Sequence, residues 1–334
     1  MAQPATRTYT ALAENGGFLE TVEIQCQAEL ICTTQLTPSN DQAPATAPVE
    51  LFKLRDIPDV MKKLGWPVAA RIQEKWFSNS KKEMNEKEKK GDLDYDPKFI
   101  DTTSASLEWV LGYERAQNAY TELKASLNSP KARQVLIDKL RHQSHLAQLI
   151  PLTGITLNNT NDAIPALHKN WQFQRAPVDV SNTDRLKTYL RGTDDLFAAF
   201  GGFNLYAAAG RISLTPQTET LLQVSIPQVI VYAKDTYDFI EPDQYLGHWN
   251  RQGVQALLAN NISDSLDAPF RPHWYSTPKD LYFCVRNKHY QEWRKKNGTG
   301  GDMLIYTNGM SISTPDLKFS VSSQQLPWTL RKPQ

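Results

Sequence analysis

At 334 residues, with 40% hydrophobic and 22% charged side chains, the chain has the balance of a globular protein and the length for one large domain or two ordinary ones. Its 37 basic and 36 acidic residues leave a formal charge of +1, so no global field recruits nucleic acid or an anionic membrane. The apolar runs fall short of a bilayer span and Met1–Gly17 lacks a secretory h-region, so membrane insertion is not expected and a cytoplasmic location is.

The first signal in chain order is TVEIQCQAELICTT at Thr21–Thr34, whose alternation and phase shift predict a strand or a bulged hairpin. Cys26 and Cys32 lie six apart; on one strand they would share a face yet stand too far apart to bridge, so reduced thiols are expected. Thr37–Pro48 carries three prolines and reads as a linker. Asp56 is placed to cap a helix with Pro58 in its first turn, and Pro67 restarts the pattern with Val68, Ile72, Trp76 and Phe77 on one face. The lysine-rich run KKEMNEKEKK, interleaved with glutamates, predicts a solvated helical end or loop. Further helical tracts are predicted over Thr103–Leu127 and from Pro130 to about Leu149.

After a turn-rich passage at Gly154–Asp162, Thr193, Asp194 and Asp195 cap a short helix that Gly201 and Gly202 end. Two long strands then follow, joined around Thr215 and Pro216, with antiparallel pairing as the simplest topology. Leu281–Arg286 reads as a strand, His289–Lys296 as a helix and Asp302–Thr307 as a last strand. The fold class is α+β: a central helical block followed by a mainly antiparallel, aromatic-rich sheet with a helix packed on it. The expected segments are an N-terminal β element (1–36), a Pro/Ala-rich linker (37–50), a helical region (51–150) and a β-rich aromatic region (151–334), the last two forming one domain or two.

The densest feature is an aromatic cassette: the 80 residues from Val229 to Asn308 hold 13 of the chain's 33 aromatic side chains. Large rings pair across strands and fill cores, but Tyr, Trp and Arg also dominate protein interfaces. The candidates for partner contact are Tyr237, Tyr245, Trp249, Arg271, Trp274, Tyr275, Trp293 and Arg294.

Enzymatic signals are weaker. NGTGG at Asn297–Gly301 follows a helix and precedes a strand, the reverse of a phosphate cradle, so it reads as a helix C-cap with a tight return. His142 and His145 share a helical face but have no third ligand, and no metal or other cofactor is expected. Asp235, Asp238, His248 and Asp302 are the polar groups nearest the aromatic strands and form the acid/base set an enzyme would use here.

Four stretches carry a resemblance: LFKLRDIPDVMKKLGWPVAARIQEKWF, DDLFAAFGGFNLYAAAGRI, VYAKDTYDF with QYLGHWN, and EWRKKNGTGGDMLIYTN. Together they resemble an uncharacterised bacterial family of unknown function whose members lie near type VI secretion and polymorphic-toxin genes. That neighbourhood implies a toxin, an immunity protein or a delivery adaptor. Balanced charge and abundant aromatics favour an immunity protein that binds a secreted toxin domain directly, with an effector chaperone and a toxic hydrolase as the rivals. No catalytic residue is carried over.

Overall fold

The computed structural model describes residues 52–142, 150–178, 194–255 and 283–326 with Trp328, and the strand backbones at 5–12, 18–26, 32–36 and 330–331. The strands in chain order are β1 (Ala5–Leu12), β2 (Phe18–Cys26), β3 (Cys32–Leu36), β4 (Ile100–Asp101), β5 (Ile150–Pro151), β6 (Ile155–Asn158), β7 (Gln172–Val178) and β8 (Phe203–Pro216). They continue as β9 (Leu221–Tyr237), β10 (Tyr245–Trp249), β11 (Val254–Gln255), β12 (Phe283–Arg286), β13 (Met303–Tyr306), β14 (Met310–Ser313), β15 (Lys318–Ser322) and β16 (Leu330–Arg331). The helices are α1 (Ile57–Lys63), α2 (Pro67–Ser78), α3 (Glu86–Lys90), α4 (Leu107–Val110), α5 (Glu114–Ser126), α6 (Pro130–His142), α7 (Ile164–Trp171), α8 (Asp195–Phe200) and α9 (Asn287–Asn297). Among the described residues no helix is long and apolar enough to cross a membrane.

The chain forms two compact units, each assembled from three separate stretches. One takes residues 1–83, 181–199 and 238–302, and the other takes 84–180, 200–237 and 303–334.

The first unit contains two three-stranded sheets, ordered β1-β2-β3 and β11-β10-β12. In the first sheet Cys26 and Cys32 are direct register partners on the antiparallel strands β2 and β3. The expectation that they stand too far apart is corrected, because the chain reverses between them instead of continuing as one strand. On α2, Val68, Ile72, Trp76 and Phe77 are all buried, as the spacing requires. Asp56 precedes α1 but its carboxylate does not cap that helix; it accepts from the Lys53 amide at 2.9 Å and from Arg251 Nε at 3.0 Å. The cap of α2 comes from far away in sequence: the Asp195 carboxylate accepts from the Val68 and Ala69 amides at 3.1 and 2.8 Å. Two otherwise orphaned helical donors are thereby satisfied by a negative charge at the positive end of the dipole. Burial, the largest cause, raises the Asp195 pKa above the usual carboxylate value, against the opposing pull of those two amides.

The second unit is organised by an eight-stranded, mainly antiparallel sheet. Its centre is the hairpin of β8 and β9, 14 and 17 residues long, which pair from Asn204↔Lys234 to Pro216↔Leu222. Short strands lie end to end along both outer edges: β13, β14 and β15 along β9, and β7 and β6 along β8. Register shifts on either side of Arg211 curl the hairpin. Along β9, burial alternates from Leu222 to Ile226 and then becomes continuous from Val229 to Lys234, so both faces are covered in its second half. Helices α5 and α6 pack on β7, and α7 packs on β8. The helical tract predicted over Thr103–Leu127 is broken between α4 and α5, and the turn-rich passage at Gly154–Asp162 holds strand β6.

Candidate functional site

In the first unit the cassette packs as a box behind α2. Trp76 is fully buried, with ring centroids of Phe77 at 5.3 Å, Phe239 at 4.9 Å, Tyr290 at 5.4 Å and Trp293 at 6.0 Å. Phe239 and Tyr290 stack at 3.8 Å, and the Gln73 amide donates to the Tyr290 hydroxyl. The Trp76 indole N–H donates to Asp302 Oδ1 at 3.2 Å. Arg294 donates to the same carboxylate oxygen, and its guanidinium lies 5.4 Å from the Trp76 ring. Most of these contacts are edge-on, the geometry that ring quadrupoles favour.

The glycine loop closes this box. Gly298 takes a left-handed conformation (φ +69°) and ends α9, with its amide donating to the Arg294 carbonyl at 3.1 Å. Gly300 lies flat on Trp76, where an added Cβ would come within 2.7 Å of the indole. The Gly301 amide then satisfies the Trp76 carbonyl at 3.1 Å. The loop therefore terminates two helices, in the role its sequence order predicts.

In front of the box, the outward side of α1 and α2 carries a surface cavity of about 450 Å³ lined by Arg55, Pro58, Asp59, Glu74, Lys75 and Ser78, with Phe77 at its floor. The guanidinium of Arg55 lies 6.0 Å from the Phe77 ring. Lys62 ties the two acidic groups together, contacting Asp59 at 3.2 Å and pairing with Glu74. Charges of both signs thus surround a floor that the buried rings hold in place. None of these residues was a partner-contact candidate in the sequence, although Arg71, Glu74, Lys75 and Ser78 mark the polar face opposite Ile72 and Trp76.

Of the eight partner-contact candidates, Trp249, Trp293 and Arg294 are buried, while Tyr237 and Tyr245 are half-buried. Arg271, Trp274 and Tyr275 lie outside the described residues. Trp249 packs edge-on against Trp66 at 6.4 Å, and burial raises the Tyr237 hydroxyl above its ordinary range. The acid/base set is divided: Asp235 belongs to the second unit, and Asp238, His248 and Asp302 belong to the first. Within the first unit His248 Nδ1 is 2.6 Å from the Tyr245 hydroxyl, and Asp302 is held by Arg294 and Trp76. His142 donates from Nδ1 to the Asp138 carbonyl at 2.6 Å, and His145 lies outside the described residues.

The second unit holds a separate cluster on the β8–β9 sheet. His168 touches the rings of Tyr206, Tyr232 and Tyr306 at 4.8 to 5.8 Å. Its Nε2–H donates to the Lys90 carbonyl at 2.9 Å, which leaves Nδ1 to accept from the Tyr232 hydroxyl at 2.9 Å. Lys234 Nζ donates to the neighbouring Lys89 carbonyl at 2.7 Å. Gly91 fills the space between these side chains, since a Cβ there would lie 2.5 Å from Tyr306 Oη. The cluster fastens residues 89–91 onto the sheet. Burial, reinforced by the nearby Lys234 charge, lowers the His168 pKa to about 3, and burial lowers that of Lys234 to about 8.

Burial of a neutral His168 makes the fold sensitive to acid. The ring stays neutral in the fold down to about pH 3 but takes a proton in the unfolded chain below 6.5, so the unfolded state binds more protons across that window. Stability is therefore lost as pH falls from 6.5 towards 3, by on the order of 3 kcal/mol at about pH 4. His168→Gln, which offers one donor and one acceptor in their place, is expected to flatten part of this acid limb in melting curves. His289, lowered to about 4 chiefly by burial, retains its own contribution in that variant. An unchanged acid limb would refute the assignment.

A model for a "Family of unknown function (DUF6402)" matches residues 52–321. No curated protein and no solved structure matches the chain.

Proposed function

This chain belongs to the DUF6402 family of unknown function, and we propose that it is a non-enzymatic, cytoplasmic protein-binding protein, an immunity protein that neutralises a type VI secretion toxin by direct contact. The observation that carries this reading is the cavity on α1 and α2. Its lining alternates Arg55, Asp59, Glu74 and Lys75 over a floor fixed by Phe77 and the buried Trp76 behind it. A pre-organised surface with both signs of charge selects a partner by electrostatic complementarity and loses little conformational entropy on binding. Rings packed into the box act as the scaffold of such a surface.

On this reading, co-expression of the full chain with a cognate type VI secretion toxin domain is expected to restore growth and to yield a complex on purification. Reversing both acidic groups, with Asp59→Lys and Glu74→Lys, is expected to weaken that complex at least tenfold, or about 1.4 kcal/mol. Both side chains are exposed, so the melting temperature is expected to stay close to that of the parent. Binding without rescue of growth would replace immunity by a chaperone or adaptor role. Full rescue by the doubly reversed variant would remove the α1–α2 surface from the interface.

A further inference from the structure

We propose that residues 85–94 of the second unit form a strap whose Lys89 and Lys90 carbonyl oxygens occupy a binding site for a small oxyanion, made by Lys234, Thr236 and His168. Three side-chain donors from two elements meet there. On β9, Lys234 Nζ and Thr236 Oγ1 both donate to the Lys89 carbonyl, at 2.7 and 3.3 Å. On α7, His168 Nε2–H donates to the Lys90 carbonyl at 2.9 Å. The Tyr232 hydroxyl donates to His168 Nδ1 at 2.9 Å, which keeps Nε2 in its donor form. An ammonium, a hydroxyl and an imidazole N–H converging on neighbouring oxygens are the donor set that a phosphate or carboxylate group accepts from.

The strap is built to move as a piece. Helix α3 buries none of its five side chains, so no apolar face ties it to the sheet. Its first turn is closed from within: the Asn85 side chain accepts from the Lys87 and Glu88 amides, each at 3.0 Å, and Lys89 pairs with Glu86 at 3.1 Å. Gly91, at φ +74°, ends the helix where a Cβ would lie 2.5 Å from Tyr306 Oη and 2.8 Å from Lys234 Cε. Beyond it, Asp94 reaches Lys169 at 2.7 Å with 94% of its own side chain exposed, a surface pair of little strength.

The donors beneath are buried, His168 at 3% exposure and Lys234 at 6%. Buried donors stripped of their acceptors are costly, so the strap stays down until other oxygens replace its own. Charge argues the same way. Burial lowers the pKa of Lys139 and of Lys234; Asp235 opposes that shift at Lys234, and Asp92 opposes it at both. Asp92 belongs to the strap and leaves with it, and a bound oxyanion restores the negative charge that the two lysines lose.

The test uses the full chain with inorganic phosphate or acetate as the probe and chloride at equal ionic strength as the control. Phosphate or acetate at millimolar concentration is expected to speed hydrogen exchange across residues 85–91 about tenfold, with β8 and β9 unchanged. General exclusion of phosphate from the protein surface would slow exchange instead, so the sign separates the two effects. A response to acetate alone identifies the ligand group as a carboxylate, and a response to phosphate alone as a phosphate. Gly91→Ala is expected to lift the strap, so that acetylation of Lys234 by an N-hydroxysuccinimide ester, read by peptide mass spectrometry, rises about tenfold and falls again when the responding anion is added. Should Gly91→Ala lose its native near-ultraviolet dichroism, Lys234→Met decides: it removes the cationic donor and is expected to abolish the response to the anion. Exchange at residues 85–91 that neither anion speeds in the parent, or a parental response in Lys234→Met, overturns the proposal.

Discussion

Replacing Trp76 with alanine is expected to cost about 4 kcal/mol, the largest loss for any single aromatic side chain among the described residues of the first unit. The indole is fully buried and meets four other rings, so its removal leaves a cavity bounded by Phe77, Phe239, Tyr290 and Trp293. The surrounding walls cannot collapse easily. Phe239 and Tyr290 are stacked on each other, and Gly300 approaches the indole face through backbone. Urea titration followed by far-ultraviolet dichroism measures the loss, and Trp76→Phe is expected to recover part of it by refilling some of the volume. A cost below about 1 kcal/mol for the alanine variant would mean that the box is not a core, because deletion of a buried Trp costs several times as much.

The same box shows what a local pattern can and cannot reveal. Helix α2 was legible because Val68, Ile72, Trp76 and Phe77 recur at helical spacing, and the end of α9 because Asn297 and Gly298 follow a charged last turn. The β8–β9 hairpin was legible from two apolar runs separated by polar turn residues. In each case the pattern lies within one continuous stretch of sequence. The cap on α2 was not legible, since Asp195 is 126 residues from the Ala69 amide it satisfies, and the sequence placed Asp195 only in a local capping cluster for α8. Nor was the convergence of Lys89, His168, Tyr232, Lys234 and Tyr306, whose contacts are set by sheet register and by the path of residues 89–91. The interleaving of two units from six stretches leaves no composition boundary to detect. Asp302 was noticed as a polar group near aromatic strands, yet its role depends on α9 and α2 meeting around it.

That role leads to the second large effect. Arg294 and Asp302 form an ion pair whose side chains are 5% and 0% exposed, and no solvent is at hand to replace either partner. Asp302→Ala removes the countercharge and the acceptor of the Trp76 indole in one step. It is expected to destabilise the protein by about 3 to 5 kcal/mol, because an unpaired guanidinium is then left in a low-dielectric core. Glu83, 3.7 Å from Arg294 but 73% exposed at its side chain, is too well solvated to substitute. Removing both charges tests whether the cost arises from the pair or from the orphaned cation: Asp302→Ala combined with Arg294→Met is expected to be more stable than Asp302→Ala alone, although it has lost two native side chains. If the double variant is instead less stable by the sum of the two single losses, the charges do not interact and the pair is a packing contact only. The Arg294 Nε, buried without a hydrogen-bond partner, makes recovery in the double variant the expected result, since methionine fills the same channel over Trp76 without leaving that donor unsatisfied.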